Sequence, residues 1–214
     1  MNSKLDVLAI ALLAPWLAQI ASLMITSALT NDFDLFYPMR ICLISAVLFR
    51  YRHTYRAFAL NWSWEAPLMG VLVFIIWIGL EDAQSIETYL LIDEINKLPS
   101  IYVIAWMFFR IAGSVLIIPL AEEFAFRGYL IRKLVSTDFE NVTPQTFTAL
   151  SFIGSSLIFG LLHDRWFAGV LAGMGYAFVL YRHGRIGDAI VAHMTTNALI
   201  AVSVLAFGKW SLWQ

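Results

Sequence analysis

Residues Ile101–Val135 read IYVIAWMFFRIAGSVLIIPLAEEFAFRGYLIRKLV and join a long apolar run to a charged motif. The run Ile101–Leu120 has the length of about 20 residues that a helix needs to cross the hydrocarbon core of a bilayer. Glu122 and Glu123 follow it directly, and Arg127 comes one helical turn later. Ionisable side chains at membrane depth are costly and usually have a function. The stretch therefore predicts a membrane helix that carries chemistry.

The composition of the chain indicates a polytopic membrane protein. Of its 214 residues 60% are hydrophobic and 14% are charged, and the mean hydropathy is +0.75. Soluble domains contain about 45–50% apolar and about 25% charged residues, so this chain is far more apolar than a soluble core requires. Its sequence has no basic cluster that would predict nucleic-acid binding. Cys42 is the single cysteine, which excludes an intramolecular disulfide.

Seven apolar runs predict membrane-spanning helices, since a bundle tolerates spans somewhat shorter than about 20 residues. The predicted fold is an all-α, polytopic transmembrane bundle of about seven to eight helices, forming a single integral membrane domain over residues 1–214. The segment Glu122–Val135 is amphipathic, and it either continues the fourth span or folds back at the interface as an eighth helix. The seven runs are Leu5–Leu29, Leu35–Phe49, Pro67–Leu80, Ile101–Leu120, Phe147–Leu162, Trp166–Tyr181 and Ile186–Phe207.

Lysines and arginines in the loops predict the orientation, because cytoplasmic loops are enriched in them. With the N-terminus inside, the cytoplasmic segments hold nine: Lys4, Arg50, Arg52, Arg56, Arg127, Arg132, Lys133, Arg182 and Arg185. The external segments hold three, together with seven acids: Lys97, Arg165, Lys209, Asp32, Asp34, Glu81, Asp82, Glu87, Asp93 and Glu94. We expect a cytoplasmic N-terminus and an external C-terminus. Arg110 lies inside the fourth span and requires an internal partner.

The two glutamates have different expected roles. On a helix Glu123 and Arg127 are four residues apart and share a face, whereas Glu122 points about 100° away from Glu123. We expect Glu123 and Arg127 to form an ion pair, which leaves Glu122 free to face a polar cavity. The alternative is that both acids only mark the end of a helix.

Two further polar motifs interrupt apolar helices. Phe159 and His163 close the fifth span, and His193 and Asn197 lie four residues apart inside the last span, with Thr196 beside them. At that spacing both side chains of the last motif face the same way. Polar residues can also hold membrane helices together, so a structural role is the alternative for each motif.

Together the motifs supply one carboxylate, two imidazoles and one carboxamide. That set can activate water and stabilise an oxyanion. Glu122, His163 and His193 could instead bind zinc, although the HExxH helix of metalloproteases is absent from the sequence. Gly169 and Gly173 form a small-xxx-small pattern, which predicts close helix packing.

The ordered motifs Glu-Glu-x-x-x-Arg at 122–127, Phe-x-x-x-His at 159–163 and His-x-x-x-Asn at 193–197 resemble those of the CAAX-protease and bacteriocin-processing family of intramembrane proteases. The resemblance covers about residues 119–198. It implies a glutamate-dependent peptidase without a catalytic metal, in which Glu122 and His163 activate water and His193 and Asn197 hold the oxyanion. Glu123, Arg127 and Phe159 would support them.

The resemblance also implies a membrane-associated protein or peptide as substrate and a bacterial plasma membrane as location. The closing segment before His193 is similar to members that process C-terminal sorting tails. Some relatives of this family act as self-immunity or scaffolding proteins, and buried Glu, His and Arg also occur in proton-coupled transporters. These functions stay open as alternatives.

The simple topology places Glu122 near the cytoplasmic end of its span and His163 near the external end, yet the two residues must converge. Either the fourth helix continues to about Lys133, or the fifth helix ends early. We expect the first, which would bury Glu122 by about 15 Å.

Overall fold

A computed structural model describes residues 3–30, 34–80 and 86–213, with the side chains of 7–30, 34–80 and 92–213. Every regular element within these ranges is helical. The helices are α1 Ser3–Ser27, α2 Tyr37–Arg50, α3 Arg52–Tyr55, α4 Glu65–Gly79, α5 Ile86–Lys97, α6 Ser100–Val135, α7 Leu150–Leu161, α8 Trp166–His183 and α9 Ile186–Phe207. Two short 3-10 helices, Phe139–Asn141 and Trp210–Trp213, complete the chain. The predicted all-α bundle is confirmed.

Among the described residues three helices are long and apolar enough to cross a membrane: Val7–Ser27 within α1, all of α6, and α9. Two shorter apolar helices, α4 and α7, accompany them. All seven predicted spans coincide with helices, and the molecule is an integral membrane protein. Leu, Ile, Phe and Trp side chains on the outer faces of these helices are exposed, as lipid contact requires.

The helix α6 decides between the two alternatives for the segment Glu122–Val135. The segment Glu122–Val135 continues this helix without a break, so the alternative of a separate helix folded back at the interface is wrong. The additional helices are the single turn α3 and the longer α5, which lies in a region that the sequence assigned to an external loop. The α5 sequence IETYLLIDEINK is short and polar, and it has no apolar run of spanning length.

The helix lengths bear on the predicted depth conflict between Glu122 and His163. The helix α6 continues 13 residues beyond Glu122, to Val135, which corresponds to about 20 Å of helix. The helix α7 has 12 residues and a length of about 18 Å, little more than half the hydrocarbon thickness. The helix α7 ends at Leu161, within one residue of the predicted end at Leu162, and His163 follows two residues later. The first anticipated solution, a longer fourth helix, is therefore present, and an early end of the fifth is not.

Close helix contacts bring the motif-bearing helices together. A Cβ atom at Gly169 would lie 2.9 Å from Gly160 Cα, and one at Gly173 would lie 3.1 Å from Ser156 Cα. Such distances are too short for a side chain, so α8 and α7 approach backbone to backbone, as the small-xxx-small pattern predicted. A Cβ atom at Gly70 of α4 would likewise lie too close to the backbone of α9, so these two helices also pack tightly.

Some residues of the predicted topology lie outside the described part of the chain. They are Asp32, Glu81 and Asp82, and the side chains of Lys4 and Glu87. The orientation of the chain in the membrane stays a prediction.

Candidate active site

A cavity of about 190 Å³ lies inside the bundle, and all four predicted catalytic residues line it. Glu122 comes from the middle of α6, His163 follows α7, and His193 and Asn197 come from α9. The three motifs therefore converge, although 75 residues separate the first from the last (122 to 197). Its lining also includes Tyr37, Arg110, Ser114, Ile118, Phe159, Tyr176 and Trp213.

One oxygen of the Glu122 carboxylate accepts a hydrogen bond, and the other has no partner among the described residues. Its side chain is buried, and its Oε1 accepts a hydrogen bond from Gln19 Nε2 of α1 at 3.1 Å. Its Oε2 lies 3.9 Å from His193 Nε2 and has no hydrogen-bond partner among the described residues. A buried carboxylate oxygen without a donor is costly. This atom is therefore suited to bind a water molecule or a substrate group.

Glu123 is fully buried, and a single oxygen of its carboxylate accepts two hydrogen bonds. Its Oε1 accepts from Arg127 Nη1 at 3.1 Å and from His193 Nδ1 at 2.9 Å. The predicted ion pair with Arg127 is confirmed, and the contact with His193 is an addition to it. Because a carboxylate only accepts, His193 Nδ1 is the donor, and Nε2 is the ring nitrogen left for the cavity.

Arg127 ties α6 to the neighbouring helix. Its Nη2 donates to the Gly173 carbonyl of α8 at 2.9 Å, and its guanidinium lies 4.6 Å from the Phe159 ring centre and 5.4 Å from that of Tyr176. Cation–π contacts of this kind are favourable where water is excluded. The ion pair is thus fixed in a cage of aromatic rings.

The two histidines are oriented by different means. The His193 ring stacks on Tyr176, with 4.7 Å between ring centres and 16° between planes. His163 Nδ1 donates to the Phe159 carbonyl at 2.7 Å, since a carbonyl oxygen only accepts. In the neutral His163 ring Nε2 then carries a lone pair, so it can accept a proton.

Asn197 reaches across the cavity to α6. Its Nδ2 donates to the Ser114 carbonyl at 2.7 Å. A carboxamide has two N–H donors, so this bond orients the group and leaves one donor for another acceptor. Thr196, which the sequence placed beside this motif, instead binds the Gly70 and Ala192 carbonyls and supports packing.

Two wide π-helical turns, Gly113–Ile117 and Phe124–Leu130, flank the glutamates in α6. Such turns are rare and occur frequently at functional sites. The first contains the Ser114 carbonyl that accepts from Asn197, and the second contains Arg127. Reasoning from ordinary helical periodicity missed both turns.

Sequence reasoning also missed Gln19, Tyr176 and Ser114. Gln19 had a usable signal, because it is a polar side chain inside the first apolar span. The partner left open for Arg110 is the Trp213 carbonyl, with the Tyr37 ring beside it. Neither residue could be paired with Arg110 from its position in the sequence.

The alternative zinc site requires three converging ligands. Within the part of the chain that the structure describes, no group of three or more His, Cys, Asp or Glu side chains has an arrangement that could hold a metal ion. Glu122, His163 and His193 line one cavity without forming such a group.

A helical membrane bundle with carboxylate, imidazole and carboxamide groups in one internal cavity defines a class of membrane protein with a candidate hydrolytic site. Residues 104–199, which include all three motifs, match the model of a family described as type II CAAX prenyl endopeptidase Rce1-like. Over this stretch the chain is similar to the Rce1-like family, whose description is that of an endopeptidase. No curated protein and no solved structure matches the chain.

The buried position of Glu123 leads to a stability prediction. We expect Glu123→Gln to lower the free energy of unfolding by about 3–5 kcal/mol, because it leaves the buried Arg127 charge without its partner. Unfolding in detergent micelles measures the change. Glu94→Gln, which breaks an exposed pair with Lys97, is the matched control and should unfold like the wild type. Equal stability of the Glu123→Gln protein and the wild type would contradict the role of this ion pair.

Proposed function

We propose that the chain is a glutamate-dependent intramembrane endopeptidase that cleaves a membrane-associated protein or peptide tail. The observation that carries the proposal is the free Glu122 Oε2, which shares a cavity with His163, His193 and Asn197. Peptide hydrolysis in a membrane requires a sheltered base, a water molecule and donors for an oxyanion. The cavity can provide the base and the donors.

Glu122 and His163 would activate the water. Glu122 takes a proton from the water, and His163 Nε2 accepts a hydrogen bond from the same water. The water oxygen attacks the carbonyl carbon of the substrate. The tetrahedral oxyanion then collapses and the C–N bond breaks. Glu122 returns its proton to the leaving amine, so the carboxylate is regenerated. Gln19 keeps the carboxylate in place throughout, since it binds the other oxygen.

His193 and Asn197 would stabilise the oxyanion. Asn197 uses the N–H that is not bonded to Ser114. His193 already donates Nδ1–H to Glu123, so a second donation from Nε2 requires the positively charged ring. The Glu122 and Glu123 carboxylates lie next to the ring, at 3.9 Å from Nε2 and 2.9 Å from Nδ1. In this proposal Glu123 is a positioning residue that acts through His193.

The proposed substrate is the tail of a protein held at the membrane. The family description is that of a CAAX prenyl endopeptidase, and a bacteriocin leader or a hydrophobic sorting tail would have the same apolar, membrane-bound character as a prenylated tail. A bacterial plasma membrane with the N-terminus of the chain inside is the proposed setting. The basic ends of α6 and α8, with Arg132, Lys133 and Arg182, would then face the cytoplasm.

Glu122→Gln is the decisive variant. It should abolish cleavage, because an amide cannot accept the proton of the water, while its oxygen can still accept from Gln19 and preserve the fold. Cleavage is measured as release of the tail from tagged peptide substrates in proteoliposomes, and folding as the unfolding temperature. Glu94→Gln is the control, as an exposed acid outside the cavity. Full cleavage by the Glu122→Gln protein would rule out the mechanism.

Asn197→Ala tests the oxyanion site. The loss of one donor should reduce kcat by about 100- to 1000-fold with little change in KM, because the bond forms mainly in the transition state. Ser203→Ala, on the same helix and outside the cavity lining, should retain the wild-type rate. If both variants cleave equally fast, Asn197 has only a packing role.

Zinc content separates glutamate-dependent from metal-dependent chemistry. Protein washed with a chelator should contain substoichiometric zinc by mass spectrometry and should keep its cleavage rate. Loss of activity on washing, followed by recovery with added zinc, would instead support a zinc site built from Glu122, His163 and His193. A protein that cleaves no tail at all but co-purifies with a partner would favour the scaffolding alternative.

A further inference from the structure

A second cavity lies at one end of the bundle, apart from the candidate active site. Its volume of about 510 Å³ falls within the range of about 300–1000 Å³ that is usual for ligand pockets. None of the residues that line it also lines the active-site cavity. The proposed mechanism gives this second cavity no role.

Helix ends surround the second cavity. Arg132 lies three residues before the end of α6, Leu180 lies three residues before the end of α8, and Ile186 is the first residue of α9. His53 and Thr54 contribute from the short α3. Membrane helices end where the hydrocarbon core gives way to the lipid headgroups. The second cavity is therefore at the depth of the headgroups.

The lining of the second cavity is basic. Its charged side chains are those of Arg127 and Arg132, which are only 2% and 8% exposed, and the described residues that line it include no acid. An arginine keeps its proton in a protein, so burial cannot remove either charge. Buried charges are costly unless acceptors or counterions surround them. An anion in the second cavity would supply both.

Arg132 has donors to spare and no counterion. Its three hydrogen bonds all go to backbone carbonyls, from Nε to Val142, from Nη1 to Gly128 and from Nη2 to Glu140. A guanidinium has five N–H groups, so two remain, one on each terminal nitrogen. The Glu140 carboxylate attracts the Arg132 charge, but in the described part of the chain Arg132 forms no ion pair. Paired donors of this kind match two oxygens of a phosphate group.

Arg127 lies between the two cavities. It lines the second cavity, while its guanidinium contacts the Phe159 and Tyr176 rings, which line the first. Its two terminal nitrogens donate to Glu123 and Gly173, whereas its Nε is buried and has no acceptor among the described residues. A buried donor without an acceptor is rare in folded proteins and indicates a bound group that accepts from it.

We infer that the second cavity binds the phosphate group of an anionic phospholipid, with Arg132 as the main contact and Arg127 beside it. The orientation proposed above places this end at the cytoplasmic leaflet, where anionic lipids are abundant and basic pockets between helices bind their headgroups. The inference does not depend on peptidase activity. The rest of the lining favours a lipid over a free phosphate ion, because its apolar side chains can pack against the glycerol and the first acyl carbons: Leu8, Ala57, Phe58, Pro144, Leu180 and Ile186.

Lipid binding tests the inference without any cleavage. Delipidated protein in detergent micelles receives dioleoyl phosphatidylglycerol, dioleoylglycerol, which has the same chains without the phosphate, or inorganic phosphate. Native mass spectrometry counts the bound lipids, and the unfolding temperature reports binding, because a ligand of the folded state raises it. We expect one tightly bound phosphatidylglycerol. Dioleoylglycerol should bind about 10- to 100-fold more weakly, as for the loss of hydrogen bonds to a charged group, and inorganic phosphate should leave the unfolding temperature unchanged.

Arg132→Gln should weaken the binding of phosphatidylglycerol about 10- to 100-fold, to the level of dioleoylglycerol. Arg182→Gln is the matched control, because it removes an exposed arginine that pairs with Glu65 outside the cavity. It should bind the lipid like the wild type.

A pair of variants at Ala57 decides the matter if the Arg132→Gln protein does not fold. Ala57 is exposed and lines the cavity, so a longer side chain fits there without disturbing the core. Ala57→Glu adds a negative charge that repels the phosphate, and it should bind phosphatidylglycerol at least about 10-fold more weakly than Ala57→Gln, which has nearly the same size.

Three results would overturn the inference. They are the absence of bound phosphatidylglycerol, equal binding of phosphatidylglycerol and dioleoylglycerol, and binding that neither Arg132→Gln nor Ala57→Glu weakens. An equal rise of the unfolding temperature with inorganic phosphate would overturn the phospholipid as occupant and assign the cavity to a soluble phosphate.

Discussion

The buried Glu123 carboxylate is the interaction on which the site depends. One oxygen holds both the Arg127 guanidinium and the His193 ring, and so it joins α6 to α9, while Arg127 extends the link to the Gly173 carbonyl of α8. A charge that is fully buried in an apolar bundle is stable only with such partners. The same requirement orients His193 toward Glu122 and makes the chemistry a consequence of how the helices are held together.

Helix length then decides where the chemistry lies. The long α6 carries Glu122 far from its end at Val135, while the short α7 ends at Leu161 and leaves His163 beside the cavity. Glycines on α7 and α8 allow the backbones to approach, and wide turns in α6 present a free carbonyl to Asn197. Interrupted helices are tolerated inside a membrane only where the surrounding protein satisfies the backbone, as it does here.

The predicted parts of the site follow from local rules. The pairing of Glu123 with Arg127 needed only helical spacing, and the selection of Glu122, His163 and Asn197 needed only the cost of polar groups in apolar helices. The family match over residues 104–199 agrees with the motif order. The helix α5 escaped prediction because hydropathy reports membrane spans and not short polar helices. Gln19 is different, since nothing local to it indicates that it binds a residue 103 positions later.

The sequence by itself determined the class of protein, the positions of the apolar helices and the residue types available for chemistry, because hydropathy and helical spacing depend on neighbouring residues only. The tertiary structure alone decided that Glu123 also holds His193, that Gln19 fixes one oxygen of Glu122, and that Arg110 lies in the same cavity. These are contacts between distant segments, set by the packing of whole helices. Their physical basis is that a membrane interior offers no water, so each buried polar group must find its partner on another helix.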